Sequence, residues 1–424
     1  MTLAATFLGG AKSRLLPASV PIRFFAAAAI FHVLVWLALM ADASAVTVFR
    51  GGPGPTLAAI HLLTLGVLTT TAIGASAQLL PVATRHALAA VWPLKLVFWL
   101  TVPGMAALIA GMFAIEITVV IAAAGATSAG LLLFGVLLAD NLRRAGSLPV
   151  VAAYGWAALA ALVLLVLAGL ALALNYRIGL LPDHGAAALV HLILGGFGFM
   201  GLLALGFSHV LVPMFALAPA PPKRPSFAAF ALAIAAIVLG LAGALADSFF
   251  VLTLATLIGL AAAGAHLWLM RCVLKAGMRK RLGLSFVLIR AAWLMLSATL
   301  LVALAAIHGW AGPNGPTLFG FLLIGGWLLT FLLGVLQRIL PFLASMHAVR
   351  SSGGMPLLSE LAASGPLKLH AACHGAALVL LAVAIAFGTA WLAWIGAAVG
   401  LVGALAFAVF TADVMRHVFL ARSR

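Results

Sequence analysis

Roughly twelve runs of about 20 apolar residues each, separated by short polar breaks, dominate the 424-residue chain. A bilayer core about 30 Å thick takes about 20 such residues per helix, so each run is long enough to cross. With 66% hydrophobic and 7% charged residues and a mean hydropathy of +1.28, the chain has too little polar surface to cover a water-soluble globule. Strand-type alternation is missing, which favours helices over a barrel. The spans predicted are 20–45, 56–84, 88–114, 116–140, 148–174, 184–216, 226–246, 248–275, 283–308, 316–346, 366–388 and 390–417. Turns fall at Pro/Gly-rich breaks such as 51–55, 218–223 and 312–316. Residues 1–424 read as a single polytopic membrane domain.

One stretch recurs. His61-Leu-Leu-Thr-Leu-Gly66 runs on through Gly74 to Gln78-Leu-Leu-Pro81, a second copy runs from His191 to Pro213, and a third from Phe321 to Pro341. The glycine pairs Gly66/Gly74, Gly198/Gly206 and Gly326/Gly334 are each eight residues apart, with a proline seven residues after the second glycine. Such an internal repeat places the copies on the second, sixth and tenth spans, giving three four-helix units. Their glycine-rich faces suit close packing near a common pseudo-threefold axis.

The formal net charge of +16 reflects basic residues gathered in alternate loops. With the amino terminus inside, Lys12, Arg14, Arg23, Arg85, Arg143, Arg144, Lys223, Arg224, the cluster from Arg271 to Arg281, Arg290, Arg338, Arg350, Lys368, Arg416, Arg422 and Arg424 are cytoplasmic. Only Arg50 and Arg177 fall outside. This positive-inside pattern predicts a bacterial inner membrane protein with both termini cytoplasmic. It accounts for the charge without nucleic acid, which is excluded as a partner. No cleavable signal peptide is read near Lys12 and Arg14. Cys272 and Cys373 lie on the cytoplasmic side, where a structural disulfide is not expected.

Twelve histidines in so apolar a chain each need a partner. His61 and His191 open two repeats, at matching places and similar depth, and could share one haem iron or take part in a copper site. Gly66, Gly195, Gly196 and Gly198 below them would leave room for a flat macrocycle. The competing reading has each imidazole bonding a neighbouring helix and fixing packing alone. His370 and His374, at i and i+4, share a helix face beside Cys373 and can hold a metal. His209, with Gln78 and Gln337, falls one turn before a repeat proline and forms another candidate metal position; satisfying carbonyls freed by the prolines is the simpler role. Paired carboxylates, nucleotide loops and zinc-spaced cysteines are missing.

Twelve helices in three four-helix units, with a histidine opening the second, resemble the catalytic subunit I of the haem-copper oxidases. His61-Leu-Leu-Thr-Leu-Gly66 also resembles the His-x-Leu-Thr-x-Gly segment of the NnrS family, haem-and-copper membrane proteins linked to nitric oxide metabolism. The resemblance implies haem b, with His61 as a low-spin ligand, and copper, with His191 on the helix that supplies a copper ligand. It further implies partners from respiratory or nitric oxide pathways and oxidoreductase chemistry if the protein is an enzyme. The departures are specific. The tenth span has no histidine, the seventh lacks copper histidines, and only Tyr154 and Tyr176 exist in the chain. A complete dioxygen-reducing site is therefore not expected. A cofactor-free transporter or scaffold on the same twelve helices is the alternative.

Overall fold

A computed structural model describes residues 15–84, 86, 90–145, 148–347, 361 and 363–420. All secondary structure among them is helical, as lipid demands of a backbone that must satisfy its own hydrogen bonds. Twelve helices are long and apolar enough to cross a membrane: α1 (Ser19–Ala41), α2 (Pro55–Thr84), α3 (Trp92–Ala114), α4 (Ile117–Arg143), α5 (Pro149–Ile178), α6 (His184–Ala216), α7 (Lys223–Leu245), α8 (Phe249–Ala276), α9 (Leu284–Ile307), α10 (Gly315–His347), α11 (Ser364–Phe387) and α12 (Ala390–Leu420). The protein is an all-α, multi-pass membrane protein. Of the basic residues behind the orientation, Lys12, Arg14, Arg85, Arg350, Arg422 and Arg424 lie outside the described residues.

The first span stops four residues short of its expected end, because Asp42 leaves helical geometry and accepts a hydrogen bond from the backbone N–H of Ala45, starting a one-turn helix. α5 runs four residues past its expected end to Ile178, where Gly179 takes the left-handed conformation at φ +61°. Asn175, in the last turn, receives the N–H of Leu181.

The pattern of neighbours repeats every four helices. α3–α4, α7–α8 and α11–α12 are tightly packed hairpins; α4–α5, α8–α9 and α12–α1 join one set of four to the next, the last pair closing the ring. Inside it, α2 lies on α1, α6 on α5 and α10 on α9. Buried residues make up 72%, 56% and 61% of the apolar windows of α2, α6 and α10, against 28–44% in the other nine, so these three form the interior. Large side chains such as Trp99, Leu301 and Val379 stay exposed on the outer helices, where lipid would meet them.

The repeated glycines have a definite task. A Cβ on Gly74 would stand 2.9 Å from Phe24, on Gly206 2.7 Å from Tyr154, and on Gly334 2.8 Å from the carbonyl of Ser285. Those partners sit on α1, α5 and α9, the opening helix of each set. Gly66 and Gly198 meet the same helices through Phe31 and Ala161, at 2.7 and 2.9 Å. The eight-residue spacing thus marks where each interior helix beds on the first helix of its own set, rather than a face turned to a common axis. Contacts between interior helices are made by other glycines: Gly196 admits Leu323 and Gly201 admits Trp327, both from α10.

Each interior helix also loosens at one place in the repeat. Leu62–Thr69, Ile193–Gly201 and Leu322–Leu329 are π-helical, a rare form concentrated at functional sites. The widened turn leaves carbonyls five residues back within reach of hydroxyls. Thr69 donates to the carbonyl of Thr64, Thr70 to that of Leu65, and Thr330 to that of Gly325.

Candidate functional site

His61 is the last residue and His191 the last but one of the α-helical openings of α2 and α6, so each stands within two residues of a π segment. Both residues are half-buried, and their rings lie beside each other with centroids 6.4 Å apart and planes inclined at 30°. They do not occupy equivalent repeat positions, since His61 precedes Gly66 by five residues and His191 precedes Gly198 by seven. Two residues of helix rise about 3 Å and swing a side chain through roughly half a turn. Under threefold-like packing, equivalent side chains off the axis enter successive clefts; the offset lets these two share one.

The His61 Nδ1–H donates to the carbonyl of Leu57 at 3.0 Å, which fixes the tautomer and leaves Nε2 with a lone pair. That is the arrangement found at metal-ligating imidazoles. The Nδ1 of His191 is buried without a hydrogen-bond partner. Gly169 of α5 makes room for this ring, because a Cβ there would stand 3.0 Å from Cε1. Two imidazoles on opposite sides of one metal place their nitrogens about 4 Å apart and their ring centres about 6 Å apart. The observed 6.4 Å matches that spacing. The glycines beneath do not supply room for a macrocycle as the sequence had implied. Phe31 fills the space over Gly66, Leu323 that over Gly196, and Leu165 stands 3.3 Å from a Cβ on Gly195.

The other predicted metal residues fall in two separate buried clusters. His370 and His374 stack at 5.7 Å, and the ring of His32 from α1 meets His370 edge-on at 6.1 Å. All three are almost fully buried, at 0%, 2% and 1% exposure. His374 Nε2 lies 2.8 Å from the hydroxyl of Thr330, the sixteenth of 33 residues in α10, so the cluster sits at mid-depth rather than near an interface. His209 packs against His266 of α8 at 5.7 Å and against Tyr154 at 5.4 Å. Its Nδ1–H donates to the carbonyl of Leu205, leaving Nε2 buried and unpartnered. Gln78 does not cap a carbonyl freed by the repeat proline: its amide oxygen and nitrogen are buried without partners, as is the Gln337 nitrogen.

Sequence reasoning did not single out His32 or His266, although both nitrogens of each are buried and unpartnered. A buried polar atom left without a partner costs about 1–3 kcal/mol, and its retention calls for a specific reason. Histidines near helix ends behave differently. His184 meets Asn175 and Tyr176, His308 meets Thr253 and stacks on Trp310, and His417 lies 3.9 Å from Asp413. Cys272 and Cys373 are free thiols. No group of three or more His, Cys, Asp or Glu among the described residues is drawn together closely enough to hold a metal ion as it stands.

No protein-family model matches the chain, and no curated protein matches it.

Proposed function

We propose that this is a multi-pass inner-membrane protein that holds a redox metal between α2 and α6, as haem b or as copper, with His61 and His191 as the ligands. The observation that carries the reading is the pair of adjacent imidazoles 6.4 Å apart, one with its Nδ1–H committed to a carbonyl and its Nε2 left as a lone pair. His61 and His191 would hold a haem iron or a copper(I) ion, either of which would supply one-electron redox chemistry there. The filled space over Gly66 and Gly196 bears on the choice, since a macrocycle would need room from elsewhere whereas a bare ion would not.

The twelve-helix arrangement with three interior helices supports placing the protein with the haem-copper oxidase-like superfamily, nearest to the NnrS family in the His61 stretch. A role in nitric oxide or respiratory metabolism, as a redox, sensing or assembly protein, is proposed from that likeness. The interior of α10 supplies no histidine to complete a dioxygen-reducing centre. A reduced-minus-oxidised visible spectrum of the purified protein tests the haem form. Soret and visible haem bands are expected, and they should vanish in His61→Ala. A bandless spectrum together with no bound copper would leave the cofactor-free transporter or scaffold.

A further inference from the structure

Residues 248–359 carry eight Lys and Arg and no Asp or Glu. Five of the eight lie between Arg271 and Arg281, where α8 turns into α9. Hydrogen bonds from two sides fix this turn. The N–H groups of Met278 and Arg279 donate to the carbonyls of Leu217 and Ala216 at 3.4 and 3.1 Å, tying it to the end of α6. From α10, Arg338 donates to the Ser285 hydroxyl at 2.8 Å and to the Leu282 carbonyl, which secures the start of α9. The ammonium of Lys280 folds back on the Lys275 carbonyl at 3.0 Å. α9 opens at Gly283 with no side-chain cap, so the positive end of its dipole adds to the same field.

Two arginines of this region belong to the spans instead of the turn. Arg271 stands five residues before Ala276, the last of α8, and Arg290 six residues after Leu284, the first of α9. At 1.5 Å per residue both lie about 8–9 Å in from the helix ends. Because α8 and α9 are packed, antiparallel neighbours, the two come to one level. Both are exposed, as are Trp268 and Leu294, one turn deeper on the same faces, at 56% and 61%. A face that presents tryptophan and leucine at that depth meets lipid, and a guanidinium there is costly unless a counter-charge or carbonyl meets it. Among the described residues neither arginine has such a partner. The ion pairs are those of Arg144 with Asp140 and His417 with Asp413, and neither Arg271 nor Arg290 makes a side-chain hydrogen bond.

We propose that this face binds anionic phospholipid, with Arg271 and Arg290 receiving headgroup phosphates and the acyl chains lying along Trp268 and Leu294. Guanidinium suits phosphate because its planar fork offers two parallel N–H donors. Lys275, Arg279 and Arg281, exposed around the turn, extend the positive field outward to where a zwitterionic headgroup would carry its own ammonium. They therefore favour a lipid of net negative charge. A free inorganic anion would satisfy the arginines and leave the apolar residues beneath them unmatched, whereas a phospholipid supplies both halves. The site is independent of the metal proposed between α2 and α6.

The test uses the full-length protein in detergent, exchanged with phosphatidylglycerol or phosphatidylcholine and read by native mass spectrometry as lipid retained per protein. The wild type is expected to retain phosphatidylglycerol in preference to phosphatidylcholine, and millimolar inorganic phosphate should not displace it. An Arg271→Gln, Arg290→Gln double variant should lose about tenfold in phosphatidylglycerol affinity while keeping wild-type elution and helical circular dichroism. An Arg143→Gln, Arg416→Gln variant, with the same charge removed from the ends of α4 and α12, should keep that affinity. Four results would overturn the inference. They are equal retention of the two lipids by the wild type, unchanged affinity in the folded Arg271/Arg290 variant, an equal loss in the Arg143/Arg416 variant, which would leave surface charge alone, and displacement by inorganic phosphate, which would make it a free-anion site. The wild-type lipid preference and the phosphate competition need no variant, so they decide the matter if the double variant does not fold.

Discussion

Single atoms decide the chemistry of the interior. His61 and His191 form a usable pair because Leu57 fixes one tautomer and Gly169 leaves space for the other ring. Gly169 is not one of the proposed ligands, so it offers a test of positioning. A valine there would drive its side chain into His191, whose Cε1 already stands 3.0 Å from a single added Cβ. Gly169→Val should therefore lose cofactor content while the helical circular dichroism is retained; Gly125→Ala, which meets nothing within 4 Å, should change neither. His61, His191, His209, His370 and His374 stand out in the sequence through repeat position or i, i+4 spacing. His32 was not legible as their companion because its partners lie about 340 residues away, reached only through the packing of α12 on α1. His266 was hidden similarly, a lone histidine in α8 until that helix is laid against α6.

At the level of elements, the glycine pairs and the π segments belong together. Within lipid the hydrophobic effect does not drive helices together, so association depends on close van der Waals packing. Gly334 is the least yielding of the repeat glycines, since its added Cβ would press on the Ser285 carbonyl and Ile289 backbone nitrogen, which cannot rotate away. Gly334→Ala should destabilise the detergent-solubilised protein by about 1–3 kcal/mol, read as an earlier loss of the monodisperse peak on heating. Gly375→Ala, with nothing within 4 Å, should leave that temperature unchanged. The sequence showed that these glycines recur but not what they face, because equal spacing is equally compatible with packing on a central axis. The π segments left no mark of their own. Changing the hydrogen-bond register by one residue alters neither apolar content nor span length, the two signals from which the helices were read.

For the molecule as a whole, composition made twelve crossings legible, and the Lys/Arg asymmetry predicts a direction for them. Reporter fusions after Arg144, Arg281 and Arg350 should read cytoplasmic, and fusions after Pro182 and Gly312 periplasmic; an external reading after Arg281 would reverse the orientation. One contact ties distant loops together on the side assigned to the periplasm. Arg50, between α1 and α2, reaches the Pro313 carbonyl at 2.7 Å and the side chains of Asn314 and Thr317 at 3.0 Å, while Thr317 donates to the Phe49 carbonyl. These bonds hold the entry of α2 against that of α10, above the π segments through which the two helices touch. The proposed function requires that a metal reside between α2 and α6. Its most direct test is to measure haem and copper together in His61→Ala and His191→Ala proteins. Loss of the same cofactor from both, with folding intact, is the expected result; both variants retaining the wild-type complement of haem and copper would contradict it.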